Sequence, residues 1–313
     1  MKCRRFSCKF GQMATKTHVS TRGEANFGQK VIESRKLFVS LRRTFNISKT
    51  MPVRSITRQQ YFDELSLTSE KYFVPYIEQH CPLAVGRRVL EVGCGVGGNL
   101  APLAARGCEV TGIDLDADNI VAADECFAAR GLAGRFVSQD FFAMEETAEA
   151  KFDVIVCHDV IEHIGAKEAF LSKMGRLTAP EGVVFMSFPA WQMPFGGHHQ
   201  NCRSRWVSHC PYLHLLPRGL YRWVLERAGE SESTVGELLE IKATRTPVEL
   251  FERVCRKAGF TIEDRRLYFI NPHYETKFGL KPRRLWPVIA HLPWVRNFFT
   301  TSCFYLLTYG RQV

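Results

Sequence analysis

The chain has 313 residues, of which 45% are hydrophobic, enough for a sizeable core and for one α/β domain with insertions. Its formal net charge of +10 arises within residues 1–50, which carry twelve Lys or Arg side chains against two acidic ones. Residues 51–313 balance 30 basic with 30 acidic side chains, so we expect no nucleic-acid partner.

The eleven cysteines show no spacing typical of a small secreted domain. No apolar run of signal-peptide length, roughly 7–15 residues, lies near the start of the sequence. We therefore expect reduced, mostly buried cysteines and a cytoplasmic protein.

Residues 1–50 are basic, poor in acids and rich in Ser and Thr, which predicts a mostly disordered N-terminal extension. A mitochondrial transit peptide has the same composition, which gives an alternative location. The competing hypothesis is a dispensable or spurious tail, with the real start at Met51. Either way, we predict one folded domain at residues 51–313.

Short apolar runs alternate with helix-compatible segments, a pattern that predicts a Rossmann-like, doubly wound α/β sheet. We predict seven strands, the last antiparallel, at residues 89–92, 110–113, 135–138, 152–158, 182–188, 260–270 and 302–308. We predict helices at residues 57–80 (broken near Leu67 and Thr68), 99–106, 116–131 and 167–177, and one capped by Thr246 with Pro247 in its first turn.

Two insertions, at about residues 189–245 and 271–301, interrupt this alternation, and we expect them to form lids. A turn at Pro180-Glu181-Gly182 is predicted to precede the fifth strand. The first insertion is rich in aromatic and cationic side chains, which suggests a bulky acceptor molecule, against the alternative that these side chains simply pack a surface lid.

A glycine-rich turn, Gly93-Cys94-Gly95-Val96-Gly97-Gly98, joins the first predicted strand to the next helix. Glycines allow positive φ and let a ligand approach the backbone. Asp114 ends the second predicted strand, where an acid can accept hydrogen bonds from ribose hydroxyls. Because Gly98 can also complete a dinucleotide fingerprint, glycine spacing alone leaves a nucleotide-binding oxidoreductase open.

Several motifs around this turn follow in order: Glu91-Val92-Gly93-Cys94-Gly95, Gly112-Ile113-Asp114, Gln139-Asp140-Phe141 and the block from Phe152 to Ile164. They resemble the S-adenosylmethionine (SAM) site of class I SAM-dependent methyltransferases. The last block is most similar to the ubiquinone-pathway O-methyltransferase branch (methyltransferase types 11 and 12). The resemblance covers roughly residues 59–188. It implies SAM as cofactor, held by Glu91, Gly93, Cys94, Gly95, Gly97, Asp114, Leu115, Asp140, Phe141 and His158.

The resemblance further implies that Asp140 accepts a hydrogen bond from the adenine amino group, with an apolar neighbour stacking on the ring. His163 follows the fourth predicted strand, where this class places its substrate. An imidazole titrates near neutrality and can take the proton of an alcohol or phenol. His198 follows Gly196-Gly197 after the fifth strand, an arrangement that suits a mobile lid. We predict His163 and His198 as catalytic, against the alternative that they are structural.

His198, His199, Cys202, His209 and Cys210 are nitrogen and sulfur donors that lie close together in the sequence. Their spacing fits no standard zinc site, and no carboxylate cluster demands Mg²⁺, so we predict no bound metal.

The acceptor is predicted to be small or lipid-like and to receive the methyl group at oxygen. C- or N-methylation of a lipid or quinone precursor stays open, as does a SAM-binding scaffold or sensor without catalysis. Residues 286–309 are too interrupted by proline and charge to span a membrane. Their aromatic side chains suggest a peripheral membrane contact, against the alternative of simple packing.

Overall fold

A computed structural model describes residues 57–147 and 151–310 of the chain. The predicted extension at residues 1–50 lies outside the described residues. The strands are β1 (Arg88–Val92), β2 (Glu109–Asp114), β3 (Arg135–Ser138), β4 (Phe152–His158), β5 (Thr178–Phe188), β6 (Phe260–Ile270), β7 (Arg283–Arg284) and β8 (Ser302–Tyr309). They form one sheet in the order β3-β2-β1-β4-β5-β8-β6-β7.

The pairing confirms the predicted Rossmann-like, doubly wound sheet. β1 pairs in parallel with both β2 and β4, while β3 and β5 extend the parallel part on either side. β8 is antiparallel to β5 and β6, as predicted for the closing strand. The described sheet has eight strands rather than the predicted seven, because Arg283 and Arg284 add a two-residue strand to the edge of β6.

The helices are α1 (Arg58–Thr68), α2 (Val74–Ile77), α3 (Ala101–Ala104), α4 (Ala117–Ala128), α5 (Lys167–Leu177), α6 (Arg205–His209), α7 (Arg218–Arg227), α8 (Glu232–Thr244), α9 (Val248–Lys257), α10 (His273–Phe278) and α11 (Pro287–Ala290). Alternate side chains of β4 face opposite sides of the sheet. Ile155 and Cys157 join the core beneath α5 and α9, and Val154 and Val156 join the core beneath α1 to α4.

The predicted break in the first helix is a change of helical form. Thr57 caps α1 by accepting a hydrogen bond from the backbone N–H of Gln60, whose side chain accepts from the backbone N–H of Thr57. A wider π-helical turn at Ser69–Phe73 then leads directly into α2. The chain therefore stays helical past Thr68.

Two local predictions are wrong. The turn predicted at residues 180–182 is a bulge inside β5, since Phe152 pairs with Thr178 while Val154 pairs with Val183. The cap of α9 is supplied across the fold, because Asn297 Oδ1 accepts the backbone N–H of Val248 at 2.8 Å. The Thr246 hydroxyl instead faces the carbonyl oxygens of Ile161 and Thr244.

The first insertion carries α6, α7 and α8 and packs around a third apolar cluster, which includes Trp191, Tyr221 and Leu239. The nine described cysteines are free thiols, and eight of them are buried, as expected. In the described part of the chain, no helix combines the length and apolar character needed to cross a bilayer.

Candidate active site

The sheet changes winding direction between β1 and β4. β1 is followed by β2 on one side of this pair of strands, and β4 is followed by β5 on the other side. The carboxyl ends of β1 and β4 therefore open a crevice at the edge of the sheet. The glycine-rich turn follows β1, Asp114 ends β2, and Asp159 follows β4. Three motifs that are separated in sequence therefore meet at one edge.

The glycine-rich turn is a left-handed backbone held against β2. Gly93, Gly95 and Gly97 have φ values of 75°, 52° and 79°. The N–H groups of Gly93 and Cys94 donate to the carbonyl of Ile113 at 2.8 and 3.0 Å.

Two glycines of this turn face different surroundings. A Cβ at Gly93 would lie 2.5 Å from Val160 Cγ2, so a side chain is excluded by packing. A Cβ at Gly95 would meet no heavy atom within 4 Å. The backbone at Gly95 thus faces open space, which is the feature needed for close approach of a cofactor.

Asp114 ties the glycine-rich turn to the next crossover. Its carboxylate accepts the N–H of Gly95 at 2.8 Å and the N–H of Asp116 at 2.9 Å. Burial raises the pKa of Asp114, and these backbone hydrogen bonds oppose that rise. Leu115 follows, half-buried, and its carbonyl accepts the Ser138 hydroxyl at 3.3 Å.

Glu91 lies fully buried beneath the turn, and its Oε1 accepts the amide of Asn99 at 2.8 Å. Burial raises the pKa of Glu91 to about 8, with a smaller rise from the charge of Asp114 and a lowering by the Asn99 hydrogen bond. Glu91 therefore carries a proton over most of the neutral range.

The raised pKa of Glu91 predicts that the free energy of unfolding depends on pH. A carboxyl group whose pKa is raised by folding contributes fully to the unfolding free energy below its ordinary pKa of 4.5. This contribution is lost as the pH rises through about 8. Glu91→Gln, which stays neutral, should gain roughly 3–4 kcal/mol in unfolding free energy over the wild type between pH 5 and pH 8. Urea unfolding at several pH values measures this gain. The exposed Glu109→Gln on β2 is the control, and a parallel pH dependence in wild type and Glu91→Gln would refute the prediction.

The remaining predicted cofactor residues lie at the same sheet edge, with different roles for their side chains. Asp140 accepts the N–H of Phe142 at 2.8 Å and begins a short 3-10 turn. His158 ends β4, and its ring lies 5.1 Å from that of Phe73. The ring of Phe141 is 3% exposed and packs on Phe170 in the core, so the predicted stacking of this side chain on a cofactor ring is not supported.

The two predicted catalytic residues meet in space. His163 ends a 3-10 turn after β4, and His198 lies in the first insertion with a left-handed φ of 58°. Their ring centroids are 5.2 Å apart and their planes perpendicular. Burial lowers the pKa of His163 to about 3, helped by the neighbouring His198 and Lys167. Burial also lowers the pKa of His198, against the charge of Asp159. Both rings are therefore neutral near pH 7.

The carboxyl group of Glu162 lies beside these rings, with Oε1 3.8 Å from Nε2 of His163. Among the described residues, neither carboxyl oxygen of Glu162 has a hydrogen-bond partner, and the residue is 4% exposed. Burial raises its pKa well above the ordinary value. Burial also lowers the pKa of Lys167 to about 7, and its ammonium donates to the carbonyls of Ile164 and Thr244. The neutral Glu162 carboxyl group and the two neutral rings therefore give this cluster little charge.

Sequence reasoning underrated Asp159 and missed Tyr274. Asp159 has a left-handed φ of 53°, and its N–H donates to Ser187 at 2.8 Å. The pKa of Tyr61 on α1 is raised to about 12, first by desolvation of its hydroxyl and then by the charges of Asp159 and Glu91. Burial and Asp159 also raise the pKa of Tyr274 on α10. The charge of Asp159 therefore acts on two phenols, Tyr61 and Tyr274.

Gly196 and Gly197, which precede His198, are tightly packed, whereas the sequence suggests a mobile hinge there. A Cβ at Gly196 would lie 2.2 Å from the carbonyl oxygen of Trp191, and one at Gly197 would lie 2.2 Å from Cβ of His214. His199 turns away from the pocket, and its Nε2 is 2.8 Å from the carbonyl oxygen of Cys210. Close packing therefore fixes the position of His198.

One group of donors could hold a metal ion. Within residues 57–147 and 151–310, ligand atoms of Glu162, His163 and His198 lie within 4.8 Å of one another. The zinc hypothesis weighed from sequence used a different set, of which only His198 belongs here. The absence of a metal ion stays a prediction, and this trio is the place to test it.

Comparison with known protein families agrees with the fold described above and includes the glycine-rich turn in the matched region. A family model described as a methyltransferase domain matches residues 90–184. The match covers the part of the chain from β1 into β5, and the sheet has the class I methyltransferase fold, the SAM-dependent class that the sequence motifs resemble.

The curated relatives narrow the resemblance further. The ubiquinone biosynthesis O-methyltransferase of Azoarcus sp. (strain BH72) is 36% identical over 112 residues, 36% of this chain and 48% of the relative. The protein with the same description from Neisseria meningitidis (strain Z2491) is 29% identical over 203 residues, 60% of this chain and 69% of the relative. This chain therefore spans about half the length of several curated relatives that it matches.

A solved structure supports the fold. A candidate sarcosine dimethylglycine methyltransferase from Galdieria sulphuraria aligns with a TM-score of 0.51 at 13% identity, over 77% of this chain and 85% of that chain.

Proposed function

We propose that this protein transfers a methyl group from SAM to an oxygen atom of a small or lipid-like acceptor. The observation that carries the proposal is one sheet edge with two adjoining parts. An open backbone at Gly95 suits a cofactor, and the half-buried His163–His198 pair suits an acceptor hydroxyl. When bound, SAM would supply an electrophilic methyl group.

The residues at the cofactor side fit this donor. The turn at Gly93, Cys94, Gly95 and Gly97 would line it with backbone, because the Gly95 side is open. Asp114 ends β2, and one of its oxygens could also accept a ribose hydroxyl, since a carboxylate oxygen has two lone pairs. Leu115, Asp140 and the backbone at His158 would border the adenosine.

The residues at the acceptor side support proton removal. Neutral His163 and His198 each keep a ring nitrogen that can accept a proton. Asp159 faces His198, and its negative charge favours an imidazolium there once a proton has arrived. A hydrogen bond from the acceptor hydroxyl to either ring would hold the acceptor in place. Orientation of this kind contributes up to about 7–11 kcal/mol to lowering a displacement barrier.

Oxygen is the acceptor atom we favour because the curated relatives are described as O-methyltransferases. Carbon and nitrogen acceptors remain alternatives. A SAM-binding scaffold without catalysis is the rival from another class, and the half-buried catalytic pair argues against it, since a scaffold needs no proton acceptor.

The test is a label-transfer screen. The purified chain is incubated with deuterated-methyl SAM and a cell extract divided into lipid, small-polar and macromolecular fractions. Mass spectrometry is expected to find the label on oxygen in the lipid or small-polar fraction. SAM binding by calorimetry without label in any fraction would move the conclusion to the scaffold, and binding of NADH instead of SAM would move it to an oxidoreductase.

A further inference from the structure

The second insertion exposes most of its large apolar side chains and buries the polar side chains of Arg296 and Asn297. Trp286 and Val288 are 76% and 75% exposed, and Trp294 is 56% exposed. Arg296 and Asn297, on the inner side, are 7% and 0% exposed. This arrangement reverses the ordinary order of a surface in water.

The inner side is firmly attached to the domain. Arg296 Nε donates to Glu249 on α9 at 2.9 Å, and Asn297 Nδ2 donates to the same carboxylate at 2.7 Å. Leu285 packs into the main core. The outward position of the aromatic side chains is therefore imposed by buried polar contacts and is no sign of a loosely packed loop.

The charge of this surface has one sign. No Asp or Glu occurs between Glu275 and the end of the sequence. Lys281, Arg283 and Arg284 are exposed within the same segment. We call residues 278–299 the basic aromatic face. It continues onto the first insertion, where the ring of Tyr212 lies 6.2 Å from that of Phe298.

The face also adjoins the candidate active site. The ring of Phe278 lies 5.4 Å from the ring of Tyr274. Tyr274 lies on α10, which packs on α1 through a 3.0 Å contact between the Thr68 hydroxyl and His273 Nδ1. Burial and the charge of Asp159 at the end of β4 raise the pKa of Tyr274. The exposed face therefore connects through α10 to α1, which packs against the glycine-rich turn at Gly98.

We propose that the basic aromatic face docks on an anionic lipid bilayer and that the acceptor enters from the bilayer past Tyr274. Tryptophan suits the headgroup region, and basic side chains add attraction to anionic lipids. The docking goes beyond the proposed function, whereas acceptor entry rests on it.

The observations favour a bilayer over two other occupants. A symmetric contact between two copies would set the same patch against itself, and so place like charges together. Single-stranded nucleic acid stacks its bases on aromatic rings. The exposed Leu280, Val288 and Leu292 offer no such platform, but they can contact acyl chains.

Vesicle flotation of the full chain tests the docking without using turnover. The probes are vesicles of phosphatidylcholine alone and vesicles with about one third phosphatidylglycerol. We expect binding to the anionic vesicles, lost at least tenfold in Trp286→Ser/Val288→Ser and about tenfold in Lys281→Glu/Arg283→Glu. These side chains are exposed, so the fold should survive, as thermal unfolding can verify.

The matched control is Val85→Ser/Trp223→Ser, which removes one exposed Val and one exposed Trp elsewhere. Residues 1–50 are present in all variants, so their basic charge contributes equally. The proposal is overturned if the chain does not bind the vesicles, or if the face variant and the control bind them equally. It is also overturned if light scattering shows that dimerisation causes the loss of vesicle binding. SAM calorimetry on the same samples reports separately on the proposed function.

Discussion

Replacing His163 with Ala is expected to lower kcat by about 10²–10⁴-fold, the range that a positioned proton acceptor contributes. The ring is half-buried beside His198, and its pKa of about 3 leaves it neutral but weakly basic at working pH, so proton transfer to it must be coupled to methyl transfer. SAM affinity should change little, because the turn, Asp114 and Glu91 form the cofactor side without it. Steady-state kinetics on the acceptor found by label transfer gives kcat, and calorimetry gives the donor affinity.

His163→Asn separates chemistry from support, since the amide keeps a polar group of similar size but accepts no proton at neutral pH. A structural role predicts recovery of turnover in His163→Asn, whereas proton transfer predicts none. A chelator adds a second discrimination. If EDTA abolishes turnover of the wild type and a divalent cation restores it, then Glu162, His163 and His198 bind a metal ion, and the role of proton acceptor is wrong.

Where one strong local pattern decided an element, the sequence was sufficient. β3, β4, α5 and β6 have the predicted bounds because their apolar runs end at polar residues or turn signals. Where a distant partner decides, prediction failed. The cap of α9 comes from Asn297, 49 positions from the N–H that it accepts.

The candidate site shows the same division. The glycine-rich turn and Asp114 are one local motif, and they lie together as their order along the chain implies. His163 and His198 were each predicted alone, but their contact depends on how the first insertion packs over β4 and β5. Sequence alone does not show that the ring of Phe141 packs on Phe170 in the core, where the structure places it. Tyr274 comes from an insertion with no family pattern, so only the fold brings it towards Asp159.

Gly95→Ala is expected to weaken SAM binding by about 10–100-fold, because the added methyl group would occupy space that the bound cofactor needs beside the Gly95 backbone. In the described structure that methyl group would meet no atom within 4 Å, so it collides only with a bound cofactor. The φ of 52° adds strain of about 1–2 kcal/mol, which lowers stability whether or not a ligand binds. Calorimetry measures the affinity, and thermal unfolding measures the strain.

Gly131→Ala provides the matched control for this strain. Gly131 has a φ of 63° just beyond α4, and its added Cβ would also meet no atom within 4 Å. Both variants should therefore lose similar stability, while only Gly95→Ala loses donor affinity. Wild-type affinity in Gly95→Ala would show that the donor does not bind over this turn. Equal loss of affinity in both variants would assign the effect to strain, because a methyl group beyond α4 cannot contact a ligand at the carboxyl end of β1.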